Sequence, residues 1–192
     1  MKRAFDIFAS AVALVVLSPA LFAIALAVKL TSPGPIVFRH ERLGRNRVAF
    51  DVLKFRTMTA GASGSAIKAA NDSRITRIGA FLRDYKLDEL PQLVNVIRGE
   101  MSIVGPRPEV SEYVELDPRY ETVLSVRPGL TDPASLAYRH EQELLEEQDD
   151  PQQFYVEELL PEKVRLSVEY VENQSMRRDA ELIRDTLKAI RQ

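Results

Sequence analysis

The sequence predicts an α+β protein that is mainly helical and is attached to a membrane by its N-terminus. Three observations support this prediction: an apolar stretch from Ala4 to Val28, two neighbouring segments typical of a small β-hairpin, and downstream segments with helical spacing of apolar residues. A chain of 192 residues is also long enough for one domain with a substantial core. We therefore expect a membrane segment at residues 1–30 and a single globular unit at residues 31–192.

The apolar stretch has three interpretations. As one helix, Ala4 to Val28 would be about 37 Å long, enough to span a hydrocarbon core of about 30 Å. A cleaved signal peptide is the second, because Ala25-Leu26-Ala27 resembles a cleavage site. The third is a re-entrant helix that breaks at Ser18-Pro19, where proline removes a backbone hydrogen bond. Cations flank both ends, which disfavours transfer of either flank across the membrane. The residues alone leave these interpretations open.

Charge and composition narrow the function classes. The chain carries 26 Lys and Arg against 28 Asp and Glu, so it lacks the basic excess of a nucleic-acid-binding protein. Residues 39–56 are locally basic, which suits a phosphate-rich membrane face. The absence of cysteine excludes disulfides, cysteine-based zinc sites and a thiol nucleophile. Asp6 is costly in lipid, so we expect it at headgroup depth or paired with Lys2 or Arg3.

The other elements follow from chain breakers and periodicity. Ile36–Arg42 and Val48–Met58 are rich in β-branched and aromatic residues and predict the hairpin. Ala60–Asn71 is small and polar, which is typical of a loop, and Asp72-Ser73 is a suitable cap for the helix that follows. Further helices are expected at Glu109–Leu116, over Gln153–Asn173 with an interruption near Pro161, and after a cap at Ser175.

The pair Asp88-Glu89 is the main candidate for chemistry. Pro91 loses no hydrogen bond in a first helical turn, so a helix is predicted to begin at about Asp88. Taken alone, the pair is best explained as a cap with an acidic first turn. A carboxylate there could also attack phosphorus and form an acyl phosphate. A second carboxylate beside it could hold Mg²⁺ together with phosphate oxygens and water.

Basic side chains would complete such a phosphate site, because phosphoryl transfer needs the charge on the phosphate oxygens to be neutralised. Lys54 and Arg56 lie on a predicted strand, whose alternation sends both to one face. Arg107 lies between two prolines that stiffen the backbone around it. Each cation taken singly is best explained as a surface charge, but several near one acidic pair favour a site. The set is Lys54, Arg56, Arg83, Arg107 and Arg127.

Four motifs carry a resemblance to a known family. They are Leu87-Asp88-Glu89-Leu90-Pro91-Gln92-Leu93, Gly99-Glu100-Met101-Ser102, Gly105-Pro106-Arg107-Pro108 and Arg127-Pro128-Gly129-Leu130-Thr131. Together with the apolar N-terminus they resemble the monotopic phosphoglycosyl transferases, also called bacterial sugar transferases. The resemblance favours the re-entrant helix broken at Ser18-Pro19, with amphipathic helices on the membrane surface. It implies that residues 31–192 form a catalytic domain at the cytosolic face of the bacterial inner membrane.

The resemblance also implies an activity and residue roles. Such enzymes move a sugar-1-phosphate from a UDP-sugar to a polyprenyl phosphate through a covalent aspartyl-phosphosugar, release UMP, and begin the membrane steps of glycoconjugate and exopolysaccharide synthesis. By position, Asp88 matches the nucleophile and Glu89 its partner, with Mg²⁺ held by both. Arg83 and Arg107 match basic residues near the donor phosphates, while Lys54 and Arg56 occupy a basic motif.

One segment departs from the family pattern. Many members have Gln and then Asn-Gly-Arg shortly after Thr131, whereas residues 132–141 of this chain contain Arg139 without that Gln or Asn-Gly. We assign Arg139 to substrate binding and predict a subgroup with a different donor sugar. The expected partners are the UDP-sugar, the polyprenyl phosphate and membrane lipid, and a homodimer is compatible with them. The alternative from another class is a non-catalytic, membrane-anchored module of envelope assembly.

Overall fold

The computed structural model describes residues 1–59 and 74–189, and these residues form a mainly helical protein with two small sheets. The elements of the first half are α1 (Lys2–Thr31), β1 (Val37–Leu43), β2 (Ala49–Phe55), α2 (Arg77–Asp84), α3 (Gln92–Arg98) and β3 (Ser102–Val104). Those of the second half are α4 (Ser111–Val114), α5 (Tyr120–Val123), β4 (Gly129–Thr131), α6 (Pro133–Ala137), α7 (Glu141–Glu146), α8 (Pro151–Phe154), α9 (Leu160–Glu172) and α10 (Met176–Ala189).

Helix α1 is long and apolar enough to cross a membrane. It is not divided into two helices at Ser18-Pro19, because the hydrogen bond that proline removes is replaced. Pro19 has no N–H to offer the carbonyl of Val15, and the Ser18 hydroxyl donates to that oxygen at 2.7 Å. Large apolar side chains along its middle are exposed, including Val15 and Phe22 at 74% and 72%. The path of this helix through a bilayer stays a prediction.

Both ends of α1 contact the same globular unit. At its start, Lys2 forms an ion pair with Asp179 of α10, and Arg3 donates to two carbonyls at the end of α3 at 2.7 and 3.1 Å. At its other end, Val28 is buried in a cluster that includes side chains of β2 and α2. The helix is therefore joined to residues 31–192 on both sides of its exposed middle.

Asp6 is buried and does not pair with Lys2 or Arg3, one of the two alternatives predicted for it, while the other, a position at headgroup depth, stays a prediction. Its carboxylate accepts hydrogen bonds from the Ser102 hydroxyl at 2.8 Å and from the Ile103 N–H at 3.4 Å. Lys2 and Arg3 are engaged elsewhere, because α1 turns this acidic side chain towards β3. Asp6 thus joins the membrane helix to the globular unit through neutral donors.

The predicted hairpin is confirmed. Strands β1 and β2 pair antiparallel from Val37 opposite Phe55 to Leu43 opposite Ala49, and a single 3₁₀ turn at Arg45–Arg47 connects them. The loop at Ala60–Asn71 and the cap at Asp72-Ser73 lie outside the described residues. Helix α2 is capped by the Thr76 hydroxyl, which accepts from the Gly79 N–H at 2.9 Å.

The largest core cluster of the described residues packs side chains of α4 and α5 against α7, α9 and the turn before α9. The expected helix over Gln153–Asn173 consists of α8, a π-helical turn at Tyr155–Leu159, and α9, so the predicted interruption falls just before Pro161. Ser175 caps α10 as predicted, accepting from the Arg178 N–H at 3.2 Å. The helix expected over Glu109–Leu116 is limited to the single turn of α4.

Candidate active site

The acidic pair lies in a tight turn between α2 and α3. Asp88 and Glu89 belong to a 3₁₀ turn at Leu87–Glu89, and α3 begins only at Gln92, later than predicted. Pro91 is the reason for this difference: it has no N–H for the Leu87 carbonyl, which instead accepts from the Leu90 N–H at 3.3 Å. The two carboxylates are therefore held by a compact turn, not by the first turn of a longer helix.

Glu89 is the centre of an ion-pair cluster. One of its oxygens, Oε1, accepts from the Lys54 amino group and from the Arg107 guanidinium, each at 2.7 Å. The structure thus brings together three of the predicted site residues from three separate segments: β2, the turn, and the loop after β3. Charge-assisted bonds of this kind are shorter and stronger than neutral ones.

The two neighbouring carboxyl groups have opposite pKa shifts. Burial raises the pKa of Asp88, which is only 8% exposed; the charge of Glu89 raises it further, and Lys54 and Arg83 partly oppose this. Burial also acts to raise the pKa of Glu89, but the charges and hydrogen bonds of Arg107 and Lys54 outweigh it and hold that pKa well below its usual range. Glu89 is thus held as a fixed negative charge by its two cations, whereas Asp88 lies outside this ion-pair cluster.

Lys54 is positioned by a buried amide. Asn95 of α3 is fully buried; its Oδ1 accepts from the Leu53 N–H at 3.1 Å, and its Nδ2 donates to the Asp51 carbonyl at 2.7 Å. These two bonds attach β2 to α3 and set Lys54 against Glu89. Burial lowers the pKa of Lys54, and Glu89 partly offsets this effect. Asn95 lies between two of the family motifs, and its role depends on a contact 42 residues away along the chain.

Arg107 is positioned by a close approach of two backbones. Strands β3 and β4 pair in parallel, and the Gly129 N–H donates to the Pro106 carbonyl at 2.8 Å. A Cβ on Gly129 would lie 2.1 Å from the Gly105 nitrogen, so only glycine fits this contact. The charge of Glu89 is the main cause of the raised pKa of Arg107, and the buried Asp132, which follows β4, adds to this effect. The two glycine-proline motifs therefore form one support for Arg107.

Arg83 is near the acidic pair, as predicted. Its Nε donates to the Thr57 hydroxyl at 2.9 Å, and its charge lowers the pKa of Asp88. The guanidinium thus lies on the Asp88 side of the turn, while Lys54 and Arg107 hold Glu89.

The structure does not bring the other three cations to the Glu89 cluster. Arg56 lies beyond the end of β2, where strand alternation no longer applies, and it donates to the carbonyls of Val28, Ser32 and Pro35. Arg127 donates to the Gly99 carbonyl at 2.8 Å. Arg139 is exposed and donates to His140 at 2.9 Å. Arg56 and Arg127 therefore stabilise the fold through hydrogen bonds to backbone carbonyls. Substrate binding by all three cations stays a prediction.

The acidic pair also fits the Mg²⁺ expected from the sequence. Within residues 1–59 and 74–189, no group of three or more acidic or histidine side chains could hold a metal ion. Both cations donate to Oε1 of Glu89, and no hydrogen bond from a described residue reaches its Oε2. Oε2 and the Asp88 carboxylate form a two-residue set, which matches the preference of Mg²⁺ for one or two carboxylates completed by phosphate oxygens and water.

Known proteins resemble this chain over most of its length. The sequence profile of the bacterial sugar transferases matches residues 1–192. An exopolysaccharide production protein, PSS, of Rhizobium leguminosarum bv. phaseoli is 50% identical over 68% of this chain and 70% of its own length. A UDP-glucose:undecaprenyl-phosphate glucose-1-phosphate transferase of Caulobacter vibrioides is 36% identical over 98% of this chain and 69% of its own length.

A relative with the same printed activity in Escherichia coli K12 is 42% identical over 82% of this chain, but this match covers only 35% of the longer protein. Two of these relatives are named as glucose-1-phosphate transferases and one as an exopolysaccharide production protein, which favours an enzyme over a non-catalytic assembly module. The chain therefore belongs to the bacterial sugar transferase family.

Proposed function

We propose that this protein transfers a sugar-1-phosphate from a UDP-sugar to a polyprenyl phosphate through a covalent intermediate on Asp88. The observation that carries the proposal is the contrast within the acidic pair. Glu89 is locked between Lys54 and Arg107, whereas Asp88 lies beside it outside that cluster, with Arg83 nearby. A buried carboxylate next to several cations is suited to attack a phosphate that those cations attract.

In this mechanism, a carboxylate oxygen of Asp88 attacks the sugar-linked phosphorus of the donor, and UMP leaves. An oxygen of the polyprenyl phosphate then attacks the same phosphorus, and Asp88 leaves as a carboxylate. Arg107 and Arg83 neutralise the charge on the phosphate oxygens. Asp88 and Oε2 of Glu89 would hold Mg²⁺, which supplies further neutralisation of the diphosphate when bound.

The nucleotide product tests this proposal. Attack on the sugar-linked phosphorus releases UMP, whereas a glycosyltransferase that cleaves the sugar–oxygen bond releases UDP. We expect UMP from a mixture of the protein, Mg²⁺, a UDP-sugar and polyprenyl phosphate, identified by chromatography. A panel of UDP-sugars in the same assay would identify the donor. UDP as the sole nucleotide product would rule out the mechanism.

We further propose that α1 enters and leaves the cytosolic face of the inner membrane. A straight helix of 30 residues would be about 45 Å long, so its ends would lie on opposite sides of the bilayer. However, Lys2 and Arg3 at one end and Val28 at the other all contact the globular unit. Contacts of one unit with both ends of the helix support a path in which its exposed middle dips into the bilayer and returns.

Cysteine labelling in intact cells tests this topology, because the chain has no native cysteine. We expect a cysteine in a short extension before Lys2 to resist a membrane-impermeant reagent, as should a control cysteine at the exposed Glu147. Changing Ser18-Pro19 to Ala-Ala restores the N–H that proline lacks. We expect this variant to be a mixture of molecules with a spanning helix and molecules with a re-entrant helix, because the cations at the N-terminus still resist transfer across the membrane. If the N-terminal cysteine is labelled from the periplasm in the protein that keeps Ser18-Pro19, the helix spans the membrane instead.

A further inference from the structure

Lys86 lies next to the acidic turn but takes no part in the ion-pair cluster. It is exposed and adopts a left-handed backbone conformation with φ 55° and ψ 21°, which is uncommon for a residue with a side chain. Its charge reaches Asp88, where it favours the ionised carboxylate. Among the described residues, no carboxylate forms an ion pair with its amino group. A cation beside the nucleophile is thus available to a ligand.

The surroundings of Lys86 indicate the kind of ligand. It directly follows an aromatic pair formed by Phe81 of α2 and Tyr85, the residue just after that helix. The two rings are 53% and 50% exposed, with centroids 4.9 Å apart. On another face of the same helix, Leu82 is buried against Val28 of the apolar helix α1. Exposed aromatic side chains beside a membrane helix are typical of the bilayer interface. Lys86 therefore lies where this interface meets Asp88.

We propose that Lys86 binds the phosphate of the lipid acceptor, with Phe81 and Tyr85 contacting the first part of its hydrocarbon chain. The inference rests on the proposed function and names a determinant of acceptor binding. Lys54 is paired with Glu89, and Arg107 and Arg83 are assigned to the phosphate oxygens of the donor, so the approaching acceptor phosphate needs another cation beside Asp88. Lys86 offsets the repulsion between that phosphate and the phosphate already attached to Asp88.

In the step that Lys86 assists, an ionised oxygen of the acceptor phosphate forms a bond to the phosphorus held by Asp88. The bond between that phosphorus and the Asp88 oxygen breaks, its electron pair stays on the carboxylate, and a lipid diphosphate sugar results. No oxidant or reductant is needed. The amino group of Lys86 keeps its proton throughout and acts only as a charge and a hydrogen-bond donor.

The test is steady-state kinetics in neutral detergent micelles, with the acceptor and the donor varied separately. Lys86→Asn removes the charge and keeps the backbone, because asparagine tolerates the left-handed conformation better than most residues. We expect the KM for polyprenyl phosphate to rise about tenfold, as befits one lost charge-assisted bond, while the KM for the donor changes less than about twofold. Lys86→Arg keeps the positive charge, so its KM for polyprenyl phosphate should match that of the parent protein. Lys29→Asn, an exposed cation at the end of α1, is the matched control and should leave it unchanged.

Three results would overturn the proposal: an unchanged acceptor KM, equal rises in both KM values, or no recovery in Lys86→Arg. Binding to phosphatidylglycerol vesicles separates the acceptor from bulk anionic lipid. A loss of vesicle binding in Lys86→Asn with an unchanged acceptor KM would assign Lys86 to membrane attachment instead. UMP release without acceptor is measured alongside, because its absence in the parent protein would count against the covalent mechanism and not against Lys86.

Discussion

Replacing Asp88 with asparagine should abolish turnover and leave the fold intact. The amide has nearly the same shape but cannot form an acyl phosphate, so we expect both UMP release and lipid product to fall by more than about a thousandfold. The variant should be at least as stable as the parent, because burial raises the pKa of Asp88 and its charge is therefore unfavourable in the folded protein. Thermal unfolding and chromatographic measurement of UMP check the two parts.

The matched control is Asp84→Asn, an exposed carboxylate in the last turn of α2, four residues before Asp88. It removes the same charge from a nearby exposed position and should keep activity within about twofold of the parent. If Asp88→Asn instead retains activity within about tenfold, Asp88 is not a covalent nucleophile. Loss of activity together with loss of cooperative unfolding would point to a structural role.

Local features of this protein were predictable because they depend on neighbouring residues. The hairpin follows from β-branched residues on both sides of Leu43-Gly44-Arg45-Asn46, and the cap of α10 follows from Ser175. The interruption before Pro161 follows from the missing N–H of proline. In each case the deciding interaction lies within one turn, cap or hairpin, which is the range in which sequence patterns are informative.

The β3–β4 pair was not predictable in this way. Each strand has only three residues, and their pairing depends on a backbone contact between Gly105 and Gly129. The two motifs that contain these glycines were identified, but nothing in their spacing shows that they face each other. The same applies to the pairing of Lys2 with Asp179, which joins opposite ends of the chain.

Only part of the candidate site was predictable, because some of its contacts join residues that are far apart in the sequence. Asp88 and Glu89 are adjacent in sequence, and cations near them were expected. Which cations lie beside the pair depends on the tertiary structure. Lys54 reaches Glu89 because Asn95 attaches β2 to α3, whereas Arg56, two residues later, is beyond the strand end and binds the segment after α1. Alternation along a strand predicts a shared face only while the strand continues.

Replacing Glu89 with glutamine should impair the enzyme in a different way from Asp88→Asn. The neutral amide leaves Lys54 and Arg107 facing each other without the carboxylate that separates them. Removing one partner of a fully buried ion pair costs about 3–5 kcal/mol, and we expect a smaller loss of about 2 kcal/mol in the free energy of unfolding because the Arg107 side chain is still 38% exposed. Turnover should also fall severely, since Glu89 holds two cations at the site. Urea unfolding and Mg²⁺-dependent UMP release measure the two effects.

The control for Glu89→Gln is a double variant in which a neighbouring positive charge is also removed. Glu89→Gln combined with Arg107→Gln removes one charge of each sign, so it should recover part of the lost stability without recovering turnover. The pH dependence gives a second check: because the folded pKa of Glu89 is depressed, its contribution to stability is present above its ordinary value of 4.5 and is lost as the pH falls below it. The stability difference between parent and Glu89→Gln should therefore shrink below about pH 4.5. Full Mg²⁺-dependent activity in Glu89→Gln would remove Glu89 from the active site and leave it a purely structural clamp between β2 and the Arg107 loop.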